Sequence, residues 1–121
     1  MAKVLGIGGV FFKAPDLPGL RAWYTRVLGF DIADWGGAVF PPPTRGKTVW
    51  SPFAEDTGYF KPSEKPFMIN LIVDDIEAMV AKITAEGVPI LDRQEMAGMG
   101  KFASIMDPAG IKIELWEPAE T

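Results

Sequence analysis

The chain has 121 residues, enough for one domain with a real core, and 48% of them are hydrophobic, which argues against disorder. It contains no cysteine and no histidine, which excludes disulfides, thiolate nucleophiles, imidazole bases and most zinc sites. A formal net charge of −4 with no basic cluster makes nucleic acid and anionic membrane poor partners and suits a neutral or cationic small molecule.

No apolar run is long enough to span a bilayer and no signal-peptide pattern opens the chain, so a cytoplasmic location is expected. Residues 7–13, IGGVFFK, read as a strand. Asp16 suits an N-cap and Pro18 falls in the first helical turn, where its missing N–H costs little. Leu17, Leu20, Tyr24, Val27 and Leu28 share one helical face, and Gly29 ends the helix. Short strands are expected at 30–33, 38–41 and 47–51. Residues 54–66, AEDTGYFKPSEKP, are polar with two prolines and read as a linker. A second strand follows at 67–73. Asp74 and Glu77 then make a capping box, Ile76, Met79, Val80 and Ile83 form an apolar stripe, and Gly87 closes the helix. Strands are expected at 88–91, 102–106 and 111–116, with 92–101, DRQEMAGMGK, as a flexible surface loop or lid.

The two halves repeat. Asp75 lies 59 residues after Asp16, Gly87 lies 58 after Gly29, and TVWSP at 48–52 aligns with ELWEP at 114–118. Each copy reads strand–helix–three strands, so one domain over 1–121 is expected, with module one at about 4–53, the linker at 54–66 and module two at about 67–118.

The segments GGVFFKAPDLPGLRAWYTRVLGF (8–30), MINLIVDDIEAMVAKITAEGV (68–88) and MDPAGIKIELWEP (106–118) resemble the vicinal oxygen chelate superfamily, the group of glyoxalase I, bleomycin-resistance proteins and extradiol dioxygenases. The resemblance implies an α+β fold of two tandem βαβββ modules whose strands curl into an open cup around a central cavity. It also implies homodimers. Metal-using relatives place ligands on the first and last strand of each module, and the matching positions here are Gly9, Thr48, Met68 and Glu114. Only Glu114 is a hard anionic donor, so no metal and no other cofactor is expected. Asn70, Glu95 and Glu114 are the residues a non-standard metal site would use.

Strand alternation puts Gly9, Phe11, Lys13, Thr48, Trp50, Met68, Asn70, Ile72, Lys112, Glu114 and Trp116 on the cup face, and Val10, Phe12, Val49, Ile69, Leu71, Val73, Ile113 and Leu115 on the face toward the helices. The expected ligand-binding set is Phe11, Lys13, Trp35, Thr48, Trp50, Met68, Asn70, Met96, Met99, Phe102, Glu114 and Trp116. Each has a plainer reading: Trp50 and Trp116 as rim or dimer contacts, Met68 as filler, Glu114 in an ion pair with Lys13 or Lys112. The function expected is metal-free binding of an aromatic or drug-like molecule, as in the drug-sequestering, antibiotic-resistance branch. A lyase or isomerase of glyoxalase I type stands as the alternative, with Glu114 as its base, and a structural or regulatory domain without a ligand is the third reading.

Overall fold

A computed structural model describes residues 2–119; residues 1, 120 and 121 of the expected domain lie outside the described residues. The elements in chain order are α1 (Leu17–Leu28), β1 (Ile69–Ile72), α2 (Ile76–Ala85), β2 (Asp92–Met96), β3 (Gly100–Met106) and β4 (Lys112–Pro118). The four strands form one open sheet in the order β1-β4-β3-β2, with β1 parallel to β4 and the other pairs antiparallel. The chain is therefore α+β, and residues 69–118 build one strand–helix–three-strand unit.

Both helices start and stop where local chemistry dictates. Asp16 accepts from the Gly19 amide at 3.0 Å, Pro18 fills the first turn, and Gly29 takes the left-handed conformation at φ 73°. The cap of α2 is Asp75, accepting from the Ala78 amide at 3.1 Å. The expected capping box of Asp74 and Glu77 does not form, because Glu77 turns outward to Arg93 at 2.7 Å. At the other end the amides of Gly87 and Val88 return to the carbonyls of Thr84 and Ile83, at 2.9 and 3.2 Å.

The core lies between the helices and one sheet face. Leu20, Trp23, Tyr24, Val27 and Leu28 of α1 and Ile76 and Ile83 of α2 pack with Ala103, Ile105, Ile113 and Leu115. Burying a branched side chain such as Ile113 or Leu115 contributes roughly 1.5–3 kcal/mol. Arg26 reaches Glu86 at 2.9 Å and ties the helices at their exposed edge. Leu17, expected on the buried face, is exposed; it opens the helix, beyond the sheet's cover, and Trp23 takes the buried place instead.

The first half departs from expectation. None of the stretches 7–13, 30–33, 38–41 and 47–51 is a strand. Phe30 packs half-buried against the core, but most of their other large apolar side chains stand open: Phe11 is 93% exposed and Trp50 77%. Alternation marks a capacity for burial, and the rest of this chain leaves these segments largely without a surface to be buried on. Gly6, Gly8 and Gly9 and the prolines at 41, 42, 43 and 52 weaken them further. In the second half, 88–91 is not a strand, although the Leu91 amide already bonds the Ser104 carbonyl at 2.8 Å. The expected loop 92–101 is instead β2 plus a tight turn into β3, closed by the Met99 amide on the Met96 carbonyl at 3.0 Å. β2 is an edge strand exposed at every residue, so it carries no alternation to read. Gly100 is required there: a Cβ would meet the Glu117 carbonyl oxygen at 2.1 Å.

Candidate functional site

Because side chains alternate along a strand, the sheet has one apolar and one mixed face. On β4 the buried row is Ile113 and Leu115, and the mixed row is Lys112, Glu114 and Trp116. Register brings Asn70 and Ile72 of β1 beside Glu114 and Trp116, and Ser104 and Phe102 of β3 beside the same two residues from the other side. Glu114 thus stands at the centre of a face made of Asn70, Ser104, Phe102, Lys112 and Trp116.

Its carboxylate is fully engaged. Oε1 accepts from Asn70 Nδ2 at 2.8 Å, and Oε2 accepts from the Tyr59 hydroxyl. Lys112, itself buried, donates to the Tyr59 carbonyl at 2.6 Å and lies 5.1 Å from the centre of the Tyr59 ring. The expected ion pair of Glu114 with Lys13 or Lys112 is therefore replaced by two neutral donors. Tyr59 belongs to 54–66, expected to be only a linker. That stretch folds into turns and lies over the sheet face, fastened at its far end by Ser63 Oγ on the Gly110 carbonyl at 2.5 Å. Burial and the adjacent Glu114 carboxylate push the Tyr59 phenol well above the ordinary tyrosine range.

Beside the polar centre lies an aromatic patch. The rings of Phe102 and Trp116 are parallel, 1° apart in plane with centroids 6.1 Å apart. The Trp116 indole N–H donates to the Met99 carbonyl at 2.8 Å, which fixes the orientation of the ring. Phe53 stacks on Tyr59 at 5.4 Å on the same side.

Of the residues expected from the sequence, Asn70, Phe102, Glu114 and Trp116 come together on this face, and Met68, half-buried, immediately precedes β1. Met96 and Met99 flank the β2–β3 turn, and Met96 lines an open cleft of about 500 Å³ with Arg45, Asp75, Lys101 and Glu117. Phe11, Lys13, Trp35, Thr48 and Trp50 are exposed on the first half. Tyr59, Phe53 and Ser104 were missed. Parity along β3 would have found Ser104, but no periodicity reaches Tyr59 and Phe53, which lie in irregular chain.

The residues at the four metal positions do not fit a divalent cation. Gly9 has no side chain, Met68 offers a soft thioether, Thr48 a neutral hydroxyl, and both Glu114 oxygens are already hydrogen-bonded. Among the described residues no three acidic side chains converge as a cation site, and no helix is long and apolar enough to cross a membrane.

Comparison with solved structures places this geometry in a known fold. TnmS3, an antibiotic binding protein from Streptomyces sp. CB03234, superposes with a TM-score of 0.54 at 19% identity over 88% of this chain and 89% of its own. A glyoxylase/bleomycin resistance protein/dioxygenase domain from Frankia sp. EAN1pec gives 0.61 at 16% identity over 97% and 100%. A lactoylglutathione lyase from Agrobacterium tumefaciens gives 0.53 at 17% identity over 86% and 87%. No curated protein matches the chain. The family model of the Glyoxalase/Bleomycin resistance protein/Dioxygenase superfamily matches residues 6–115, and the chain belongs to that superfamily.

Proposed function

We propose that this protein is a metal-free small-molecule-binding member of its superfamily, holding an aromatic or drug-like ligand on the mixed face of the sheet. The carrying observation is the juxtaposition of a pinned aromatic patch, Phe102 and Trp116, with the Glu114 carboxylate one register step away. Flat apolar surface supplies affinity and a few placed polar groups supply orientation. The donor set at the metal positions supports binding over Lewis-acid chemistry. The antibiotic-binding title of the Streptomyces fold relative is in keeping with this reading. The proposed contacts are Met68, Asn70, Phe102, Glu114 and Trp116.

The protein acts as a cytoplasmic homodimer on this reading. A second copy covers the apolar side chains of the first half, Phe11 and Trp50 among them, which no single protomer buries.

Titration with proflavine, a planar cationic aromatic amine, tests the binding reading. Saturable quenching of tryptophan emission is expected, with Trp116→Phe weakening it about tenfold. No saturable binding, or turnover of a hemithioacetal of glutathione on adding zinc or nickel, would refute it.

A further inference from the structure

Tyr59 reaches the sheet from a stretch that belongs to no helix or strand. Its turns are closed within the stretch itself: the Thr57 amide on the Ala54 carbonyl, Lys61 on Gly58, and Ser63 on Phe60, at 3.0, 3.2 and 2.9 Å. None of those bonds depends on the phenol. What the phenol does make is a set of contacts suited to a ring bearing a hydroxyl. Glu114 accepts a hydrogen bond from its hydroxyl, the Lys112 ammonium lies 5.1 Å from the ring centre, and Phe53 stacks on the ring at 13° between planes. The Tyr59 side is 38% exposed, so the ring is docked at the mouth of the site rather than locked in the core.

A second observation comes from β3. Ser104 is 5% exposed, and its Oγ is buried without a hydrogen-bond partner. It is the antiparallel register partner of Glu114, on the same face. Register partners in such a pair stand about 4.5–5.5 Å apart at Cα. A single hydroxyl oxygen placed between the two side chains would donate to Glu114 and accept from Ser104. Tyr59 satisfies only the first of these.

Resting on the binding reading above, we propose that the Glu114 face is a hydroxyarene site and that Tyr59 is its intramolecular occupant, displaced when a ligand phenol binds between Glu114 and Ser104. The site then distinguishes a phenol from its methyl ether. The ether can accept from Ser104 but has no proton for Glu114, and it leaves the half-buried carboxylate short of the donor Tyr59 had supplied. Tyr59 sets the threshold, since a competing internal ligand lowers apparent affinity by the fraction of sites it leaves free.

The test uses the full chain at neutral pH with 2-naphthol and 2-methoxynaphthalene, read by the probes' own fluorescence. Saturable binding of 2-naphthol is expected, with the ether weaker by about tenfold. Ser104→Ala should weaken 2-naphthol, and Tyr59→Ala should tighten it about fivefold. Tyr59→Phe keeps the ring in place while removing the competing hydroxyl, and it should tighten 2-naphthol too, which decides the matter if the alanine variant fails to fold. Equal binding of phenol and ether, or no tightening in a folded Tyr59 variant, would overturn the proposal. Proflavine bound without 2-naphthol overturns this inference alone, and failure of both probes overturns the binding reading with it.

Discussion

Removing one oxygen from the core tests how the two halves of the chain are joined. The Tyr24 hydroxyl on α1 donates to Asp107 Oδ2 at 2.5 Å, and the two residues are 7% and 5% exposed. The other carboxylate oxygen, Oδ1, accepts from the amides of Ala109 and Ile111 at 2.8 and 2.9 Å, so Asp107 holds together the turn that feeds β4. Tyr24→Phe leaves the ring packing and the turn intact and deletes one hydrogen bond to a buried carboxylate. Such bonds contribute about 1.5–3 kcal/mol. With a urea slope of roughly 1–3 kcal/mol per molar for a domain of this size, the unfolding midpoint should fall by about 1 M. Asp107→Ala should cost more, because it strips an acceptor from two amides as well as from the phenol. The measurement is equilibrium urea unfolding followed by far-ultraviolet circular dichroism. A Tyr24→Phe variant within about 0.5 kcal/mol of the parent would refute the claim that this bond anchors α1 to the turn.

Other expected outcomes are more quickly stated. Both tyrosines are held neutral by burial and an adjacent carboxylate, so their folded values lie above the ordinary 10.0. Stability is then full below about pH 10 and falls as pH rises beyond it; absorbance at 295 nm should rise together with unfolding, and an independent titration near 10 in the folded state would contradict this. Leu115→Ala, at a fully buried position, should destabilise by about 2–5 kcal/mol in the same urea assay. Elemental analysis of the purified protein should find no stoichiometric transition metal, and about one per chain would sink the metal-free reading. Light scattering should return twice the 13.2 kDa chain mass, with Phe11→Asp shifting it toward the monomer.

Most local signals in the sequence were trustworthy, the Asp74–Glu77 capping box excepted, because the residue acts on its own neighbours. The Asp16 cap, Pro18, the left-handed Gly29 and the closing Gly87 all act within one turn of the helices they bound. Alternation in 111–116 correctly separated Ile113 and Leu115 from Lys112, Glu114 and Trp116, because the core enforces that parity. Pairing is a different matter. β2 forms from DRQEM, which has no apolar face, because the backbone of β3 offers it a ladder. The stretches 7–13 and 47–51 have the better pattern and no ladder. Propensity reports what a segment can bury, while strand formation needs a neighbouring edge, and that neighbour is a property of the whole fold.

Glu114 shows the same limit at the scale of one side chain, and with a chemical consequence. Its two partners are 44 and 55 residues away, so nothing near it in the sequence names them. Proximity along the strand suggested a lysine; the fold supplies an amide and a phenol instead. The distinction matters because a neutral donor can be exchanged for another neutral donor without separating an ion pair. The buried Lys112 ammonium is directed at the Tyr59 carbonyl and ring. Glu114 therefore presents acceptor oxygens on a face with an aromatic patch beside it, a setting that favours a hydrogen-bond donor on a flat ring over an anionic one. A divalent cation at the same place would have to break both hydrogen bonds and gain one carboxylate, with Met68 and Thr48 as the remaining candidates from the inherited positions. A ligand phenol would exchange a single bond for an equivalent one and gain Ser104. On the proposed reading, that difference in what must be given up favours an organic hydroxyl over a cation at Glu114.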